Sequence, residues 1–184
     1  SATVALDFPI VPLGFNGTTY ARFRLSTDTQ AASTPTGFAT DGEVEDYLVS
    51  IVSRDYGDAP DTYGTLNASN GPSHGIRSDL FMGAGVDGEL DGVPTVSANG
   101  DNAIGKDGND EDGLTQPTVD LKLTVGEVPQ VTINVTNTTG EDAILYGWID
   151  FDMDGTFNSV DEEAVRRIVP GSTQDEDFVL NFSR

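Results

Sequence analysis

The sequence predicts an all-β protein, and within that class an antiparallel β-sandwich with long Asp- and Gly-rich loops between its strands. Two observations indicate this architecture. Apolar and polar residues alternate with a period of two in several short segments, which is the pattern of half-buried strands. Gly, Pro, Asn and Asp separate those segments, so turns divide the strands from one another.

Six segments are predicted strands. In chain order they are TVALDFPI (3–10), TTYARFRL (18–25), EDYLVSIV (45–52), VDLKLTV (119–125), QVTINVT (130–136) and FVLNFSR (178–184). In VDLKLTV, for example, four aliphatic residues alternate with Asp120, Lys122 and Thr124. The stretch SVDEEAVRRIV (159–169) has the composition of a short helix, and the alternative there is a turn followed by a strand.

The composition divides the chain into three parts. Residues 1–53 and 115–184 carry the alternating segments, whereas residues 54–114 are rich in Gly, Asp, Asn and Pro. A structureless segment of that length is uncommon inside a compact domain, so we expect bound ions to hold it or, alternatively, a linker role. Leu6-Asp7-Phe8 aligns with Leu180-Asn181-Phe182, which predicts the same strand at both ends and one period of a tandem array.

Charge restricts the partners of the protein. The formal net charge is -22 at pH 7, and nine Lys and Arg do not supply the basic surface that nucleic acid or an anionic membrane requires. The chain has no cysteine, which excludes disulfides and thiolate zinc sites. No apolar run reaches the ~18 residues of a membrane-spanning helix. These features favour oxygen-ligated hard cations, and the alternative is that the acids only keep the protein hydrated.

The stretch DFDMDGTFNSVDEE has the ligand spacing of a calcium loop. Alternate Asp residues can direct three carboxylates into one turn, and Ca²⁺ takes six to eight oxygen ligands. The candidate ligands are Asp150, Asp152, Asp154, Thr156, Asn158, Asp161 and Glu162. The pattern departs from an EF-hand, because a strand leads into the loop and its twelfth position is Asp161 rather than Glu. An Asp-rich hairpin turn is the alternative interpretation.

Three further acidic clusters lie in residues 54–114. They are Asp87, Glu89 and Asp91 in DGELDG, Asp107, Asn109, Asp110, Glu111 and Asp112 in DGNDEDG, and Asp55, Asp58 and Asp61 in DYGDAPD. Each cluster alone is compatible with a solvated turn. Together they predict more than one Ca²⁺ site, since flexible Gly backbones and oxygen-only ligands suit this ion.

The sequence does not predict an enzyme. The one histidine, His74, follows Ser73 in a turn that lacks the GxSxG nucleophile elbow. A glycosidase acid needs an apolar pocket that raises its pKa, whereas these acids lie in polar loops. Trp148 and the five Tyr are candidates for a sugar-binding platform, but a single Trp on an alternating strand is typically buried, and we expect Trp148 in the core.

Two stretches, TYARFRLST and ATDGEVEDYLVSI, together resemble the GEVED domain of bacterial surface proteins. DYGDAPDTYGT, GPSHGI and DEDG resemble the segment that precedes this domain in large secreted, calcium-associated adhesin-like proteins, and WIDFDMDGTF is similar to the family's upstream strand and loop. In the family the WID strand precedes GEVEDY, whereas here Trp148 follows Tyr47. The resemblance therefore implies a shifted or permuted unit, with the C-terminal half of a GEVED-like sandwich at 1–53 and the N-terminal half at 115–184.

The resemblance implies a calcium-stabilised structural or adhesion repeat, outside the cell or on its surface, from a large bacterial protein. Two alternatives stay open: a calcium-dependent module that binds a glycan or a surface protein, and a filament subunit that assembles through its terminal strands. The halves 1–53 and 115–184 can close on each other or be completed by a neighbouring repeat or another copy, with edge strands as the contacts. Within the first half, we expect Glu43 and Glu45 to pair across the strands with Arg22 and Arg24.

Overall fold

The computed structural model describes residues 3–100, 111–157 and 161–182. Its strands lie in antiparallel sheets and strand greatly exceeds helix, which confirms the predicted all-β class. The chain forms two compact units, Ser1–Ser53 and Arg54–Arg184, so residues 54–114 belong to the same unit as residues 115–184. Within the described ranges, no helix is long and apolar enough to cross a membrane.

A β-hairpin is the centre of the first unit. Strands β1 (Gly17–Leu25) and β2 (Glu43–Ile51) pair antiparallel along their whole length, from Gly17 opposite Ile51 to Leu25 opposite Glu43. Helix α1 (Thr29–Ala32) lies in the connection, and the Asp28 carboxylate caps it by accepting a hydrogen bond from the Ala31 N–H at 3.0 Å. The strands predicted at residues 18–25 and 45–52 are therefore confirmed.

The predicted strand at residues 3–10 is wrong. These residues form no strand, and Val4, Leu6, Phe8 and Ile10 are each at least 63% exposed. Pro9 lacks the backbone N–H that a ladder needs, which weakens pairing in this segment. Residues 3–10 therefore share the sequence pattern of residues 178–182 without forming the strand that residues 178–181 form.

Arg24 organises the connection between the two strands. Its guanidinium donates hydrogen bonds of 2.8 to 2.9 Å to four backbone carbonyls, those of Ala31, Thr34, Thr36 and Gly37. The expected ladder of Arg22 and Arg24 with Glu43 and Glu45 is wrong, because the register places Arg22 opposite Asp46 and Arg24 opposite Val44. Arg22 instead forms a two-pronged ion pair with Asp46, with both bonds at 2.7 Å.

Asp41 and Gly42 close the connection onto the end of β1. The Asp41 carboxylate accepts hydrogen bonds from the hydroxyls of Ser26 and Thr27 and from the Thr27 N–H, and these bonds lower its pKa. Gly42 follows with a φ of +95°, and a Cβ built there would lie 1.7 Å from the Leu25 carbonyl oxygen. Any side chain at position 42 would therefore collide with the backbone of β1.

We expect Gly42→Ala to destabilise the hairpin by more than about 1 kcal/mol, because it combines left-handed strain with a backbone collision. Amide hydrogen exchange of β1 and β2 measures the loss directly. Gly14→Ala is the matched control, since Gly14 has a similar φ of +82° and a Cβ added there would meet no other atom within 4 Å. Equal protection in the two variants would contradict the collision.

The described residues of the second unit form three small sheets. The largest has the order β5-β6-β9, and the other two are two-stranded. Their strands are β3 (Arg54–Tyr56) with β4 (Ser73–Gly75), β5 (Leu80–Met82) with β6 (Gln130–Asn137) and β9 (Thr173–Asn181), and β7 (Ala143–Leu145) with β8 (Arg167–Val169). Two 3-10 helices, Asp61–Tyr63 and Asn67–Ser69, and helix α2 (Pro117–Asp120) connect them. Among the described residues, the sheets of neither unit close into a sandwich.

The buried apolar core lies around β6 and β9. It comprises Val131, Val135, Leu145, Ala164, Val169, Leu180 and Phe182. Residues of β6 alternate as predicted, with Val131 and Val135 facing inward, and Leu180 of β9 is 1% exposed. No described residue of the first unit is buried to this degree. The hydrophobic stabilisation of the fold is therefore concentrated in the second unit.

Two other predictions in this unit have opposite outcomes. The predicted strand at 119–125 is wrong, because residues 117–120 form helix α2 and Leu121 continues it as a turn. Pro117 fits the first position of a helix, and the Asp120 carboxylate accepts a hydrogen bond from the Thr132 N–H at 3.0 Å, which ties the helix end to β6. For residues 159–169, the described part from 161 onward forms a turn followed by β8, so the second of the two alternatives is correct.

Candidate metal centre

The loop that follows Trp148 turns back on itself within a few residues. Met153 and Gly155 both have left-handed backbones, with φ of 58° and 86°. The loop is closed by pairing across its base, where the Ile149 N–H donates to the Glu162 carbonyl at 3.0 Å. This closure brings Glu162 beside the Asp residues that begin the loop.

Three carboxylates meet in this loop. Asp150, Asp152 and Glu162 each place one carboxylate oxygen within 4.8 Å of the other two. Glu162 is only 2% exposed, Asp150 is half-buried and Asp152 is exposed. Like charges at this separation repel, and the repulsion grows where burial removes water. The donor set, all carboxylate oxygen, is the chemistry that Ca²⁺ prefers.

Asp150 is the most firmly held of the three. Its Oδ2 accepts hydrogen bonds from the Tyr63 hydroxyl at 2.8 Å and from the Gly155 N–H at 2.9 Å, and its Oδ1 accepts from the Asp154 N–H at 3.2 Å. Desolvation is the largest single influence on the pKa of Asp150 and raises it, but these hydrogen bonds outweigh desolvation and lower the pKa below its ordinary value. Asp150 is thus held in its charged form.

Asp152 has the opposite balance. The largest influence on its pKa is a hydrogen bond from the Asp154 N–H, which lowers it, but desolvation and the negative charges of Asp154 and Glu162 together raise the pKa above its ordinary value. The Asp154 carboxylate accepts hydrogen bonds from the N–H and hydroxyl of Thr156 at 2.9 and 2.7 Å. The pKa of Asp152 is therefore raised first by desolvation and then by the neighbouring carboxylates.

Tyr63 is the residue of this site that the sequence did not indicate. It lies 87 residues before Asp150, and no local spacing connects the two. Its ring packs against Phe157 with centroids 4.7 Å apart, so the DYGDAPDTYGT segment is fastened to the candidate metal loop by both a hydrogen bond and an aromatic contact. Loop and segment therefore form one structural element.

The remaining candidate ligands are distributed differently. Asp154 and Asp161 lie outside the three-carboxylate group, and Asp161 is exposed. Asn158, Asp107, Asn109 and Asp110 lie outside the described residues. Glu111 and Asp112 are described, and the Asp112 carboxylate accepts hydrogen bonds from the Ala84 N–H at 3.1 Å.

The acids of the DYGDAPD and DGELDG clusters mostly bind backbone N–H groups. Asp61 accepts from Leu66, Asp91 from Asn67 and Gly92, Asp58 from Val93, and Glu89 from Tyr56. Asp55 lies opposite His74 in the backbone register of β3 and β4. In the DGELDG cluster, Asp87 Oδ1 and Glu89 Oε1 are buried carboxylate oxygens for which no hydrogen bond is found among the described residues, although the other carboxylate oxygen of Glu89 accepts from Tyr56. A buried carboxylate oxygen without a donor is costly, which makes the DGELDG cluster a candidate for a bound cation.

Trp148 is not in the core, contrary to the prediction. It is 48% exposed and its ring stacks on that of Tyr146, which is 36% exposed, with centroids 5.6 Å apart and planes 16° from parallel. Gly147 between them faces the core instead, where a Cβ would lie 2.9 Å from Leu180 and 3.4 Å from Phe182. The alternation is as predicted, but the Trp and Tyr take the outward positions.

One of the chain segments that carry the sequence motifs matches a known family. Residues 2–50 match the family model of the GEVED domain. The match spans the hairpin of the first unit and covers well under half of the 184 residues. No curated protein and no solved structure matches the chain.

The structure explains why the GEVED motif has its residues. In DGEVED, Asp41 binds the start of the connection, Gly42 allows the close approach to Leu25, and Asp46 pairs with Arg22. Glu43 and Glu45 share one face of β2, and the Glu45 carboxylate accepts a hydrogen bond from the Tyr47 hydroxyl. The motif therefore closes a hairpin, and the carboxylate cluster lies outside the GEVED match.

We expect Tyr63→Phe to raise the pKa of Asp150 towards its ordinary value of 3.8, because the hydroxyl that favours the charged form is removed. With its pKa lowered by folding, Asp150 contributes stability above the unfolded pKa that is lost as pH falls through the folded pKa. The variant should therefore lose stability near neutral pH and show a weaker acid dependence below pH 4, measured by carboxyl NMR titration and by urea unfolding from about pH 2 to 6.

Tyr20→Phe is the control for this experiment, since Tyr20 is 78% exposed on the hairpin. An unchanged Asp150 titration in Tyr63→Phe would show that the hydrogen bond does not set its charge.

Proposed function

We propose that this protein is a calcium-stabilised extracellular structural repeat of a large bacterial surface or secreted protein, acting as a spacer or adhesion module. The observation that carries the proposal is the group formed by Asp150, Asp152 and Glu162, in which a nearly fully buried carboxylate lies beside two others. A cation cancels their repulsion and binds the folded state only, so ion binding adds directly to stability.

The fastening of distant segments to this loop supports a mechanical role. Tyr63 ties the 3-10 helix Asp61–Tyr63 to Asp150, and β7 and β8 lead into and out of the loop region. An ion held by Asp150 would therefore stiffen parts of the second unit that are far apart in sequence. Extracellular modules bind Ca²⁺ with dissociation constants of roughly 0.1 to 1 mM, which suits an environment richer in calcium than cytoplasm.

More than one ion belongs to the proposal. The buried, undonated Oδ1 of Asp87 supports a second Ca²⁺ in the DGELDG region, independent of the first loop. Residues 2–50 match the family model of the GEVED domain. The sequence resemblance of this domain is to calcium-associated bacterial surface proteins, and this supports the proposed role of the first unit.

Thermal unfolding in EDTA and across a calcium titration tests the proposal. We expect a large, saturating rise in Tm with Ca²⁺ and little with Mg²⁺, because Ca²⁺ accepts flexible coordination by carboxylates whereas Mg²⁺ demands near-ideal octahedral geometry and gives up its water reluctantly. Asp152→Asn should have opposite effects in the two conditions. In EDTA it should raise Tm, since the raised pKa of Asp152 means that its charge opposes folding at neutral pH, and in saturating Ca²⁺ it should lower Tm because a ligand is lost.

Asp161→Asn is the matched control, because Asp161 lies in the same loop but outside the three-carboxylate group. We expect calcium affinity to fall on the order of tenfold or more in Asp152→Asn and to stay nearly unchanged in Asp161→Asn. A Tm that does not respond to Ca²⁺ would reject the proposed function and leave the acids as a solvating surface.

A second candidate function is a binding module for a neutral glycan. The exposed stacked pair of Tyr146 and Trp148 favours it, because aromatic faces stack on the apolar faces of sugars and the net charge of -22 excludes anionic ligands. Trp148 is the single Trp of the chain, so its fluorescence reports the site without interference.

Titration with neutral gluco-oligosaccharides in saturating Ca²⁺ should shift or quench the Trp148 fluorescence if this function holds. Calorimetry should then show at least roughly tenfold weaker binding for Trp148→Ala and no change for Tyr20→Ala, an exposed aromatic outside the second unit. An unaltered spectrum across the series would exclude these glycans as ligands.

A further inference from the structure

The connection between β1 and β2 directs several backbone carbonyls at one positive charge. Four carbonyl oxygens accept hydrogen bonds from the Arg24 guanidinium, and we call them the carbonyl cluster. They belong to Ala31, Thr34, Thr36 and Gly37. Backbone carbonyls that converge on a charge are one of the ways in which proteins bind cations, because their oxygens replace the water around the ion.

The distances resemble those around an oxygen-ligated cation. A single nitrogen of Arg24, Nη1, donates to Ala31 and Thr34 at 2.8 Å and to Thr36 at 2.9 Å, and Nη2 donates to Gly37 at 2.8 Å. The Arg24 side chain lies on a half-buried residue, so the carbonyls replace part of its hydration. The connection thus folds around the guanidinium.

The charge of Arg24 is balanced differently from that of its neighbour Arg22. Arg22 forms an ion pair with Asp46, whereas within the described ranges no ion pair joins Arg24 to a carboxylate. The carbonyl dipoles are therefore the groups that face the positive charge. Hydrogen bonds with a charged donor are roughly twice as strong as neutral ones, so four of them hold the connection firmly.

The acids of the first unit are engaged elsewhere. Asp28 caps helix α1, Asp41 binds the start of the connection, and Asp46 is in an ion pair. In the part of the chain that the structure describes, the three carboxylates that lie close enough to share a metal ion belong to the second unit. The hairpin unit therefore contains a cation of its own, whereas the second unit contains a group that needs one.

We propose that Arg24 is the resident cation of the carbonyl cluster and that it makes the fold of the first unit independent of calcium. A guanidinium stays charged and is covalently attached, so neither pH nor a chelator removes it. That calcium withdrawal loosens the second unit rests on the proposed function, but the role of Arg24 does not. Loss of calcium then affects one unit selectively, and the GEVED-matching hairpin keeps its structure.

Amide hydrogen exchange of the full natural chain in saturating Ca²⁺ and in EDTA tests this independence. We expect the protection of β1 and β2 to agree within about twofold between the two conditions, while protection in the second unit falls at least about tenfold in EDTA. A hairpin that loses protection as strongly as the second unit would overturn the proposal. If EDTA changes neither unit, the proposed calcium function fails, and the Arg24 variants still decide the role of Arg24.

Substitution of Arg24 tests its role directly. Arg24→Ala should lower the protection of β1 and β2 at least about tenfold, with or without Ca²⁺, because four carbonyls lose a charged donor. Arg24→Lys should give intermediate protection, since an ammonium keeps the charge but lacks the planar fork of donors. Arg54→Ala is the control, because Arg54 is exposed on β3. An unchanged hairpin in Arg24→Ala would refute the proposal.

Free guanidinium distinguishes a cation from a side chain that only packs. At about 50 mM, far below denaturing concentrations, guanidinium chloride should raise the hairpin protection of Arg24→Ala by roughly threefold or more, and equal sodium chloride should not. Gly42→Ala is the matched control, because it loosens the same hairpin by a backbone collision and leaves Arg24 in place. Rescue of neither variant, or of both alike, would show that Arg24 is not a resident cation.

Discussion

Repulsion among closely held carboxylates is the constraint on which the second unit depends. Glu162 is almost completely buried beside Asp150 and Asp152, and it is the backbone pairing of residues 149 and 162 that keeps it there. Burial removes the water that would otherwise screen these charges. The negative charge of the carboxylates must therefore be compensated by hydrogen-bond donors, by protonation or by a cation. Hydrogen bonds outweigh desolvation at Asp150 and lower its pKa, whereas at Asp152 desolvation and the charges of Asp154 and Glu162 outweigh the hydrogen bond and raise its pKa.

The two units are stabilised by different physical interactions. The second unit has an apolar core centred on Leu180 and Val169, both 1% exposed. The first unit has no described residue buried to that degree, and its connection is held by polar contacts, above all those of Arg24 with four carbonyls. The GEVED-matching hairpin keeps several large apolar side chains exposed, among them Leu25 at 74% and Leu48 at 68%, so apolar burial contributes less to its stability than to that of the second unit.

Local pattern and tertiary context disagree at a few identifiable places. Alternation predicted β1, β2 and β6 correctly, but of β9 it predicted only the C-terminal part, residues 178–181. The same alternation was misleading at residues 119–125, where a proline and an Asp120 bond to β6 favour a helical turn, and at residues 3–10, where Pro9 weakens pairing. Residues 6–8 resemble residues 180–182 in sequence but not in structure. The burial of a strand depends on the residues packed around it, and a three-residue motif does not contain them.

The sequence by itself determined the all-β class, the GEVED relationship of the first unit and the acidic loop at residues 150–162, because periodicity, a specific motif and alternate Asp spacing are local properties of the chain. Only the tertiary structure decided which acids meet. It selected Asp150, Asp152 and Glu162, turned Asp154 towards Thr156, and added Tyr63 from 87 residues away. It also placed Trp148 outside and Gly147 inside, because only the small residue fits against Leu180 and Phe182. Distances between side chains remote in sequence arise from packing, and no spacing rule contains them.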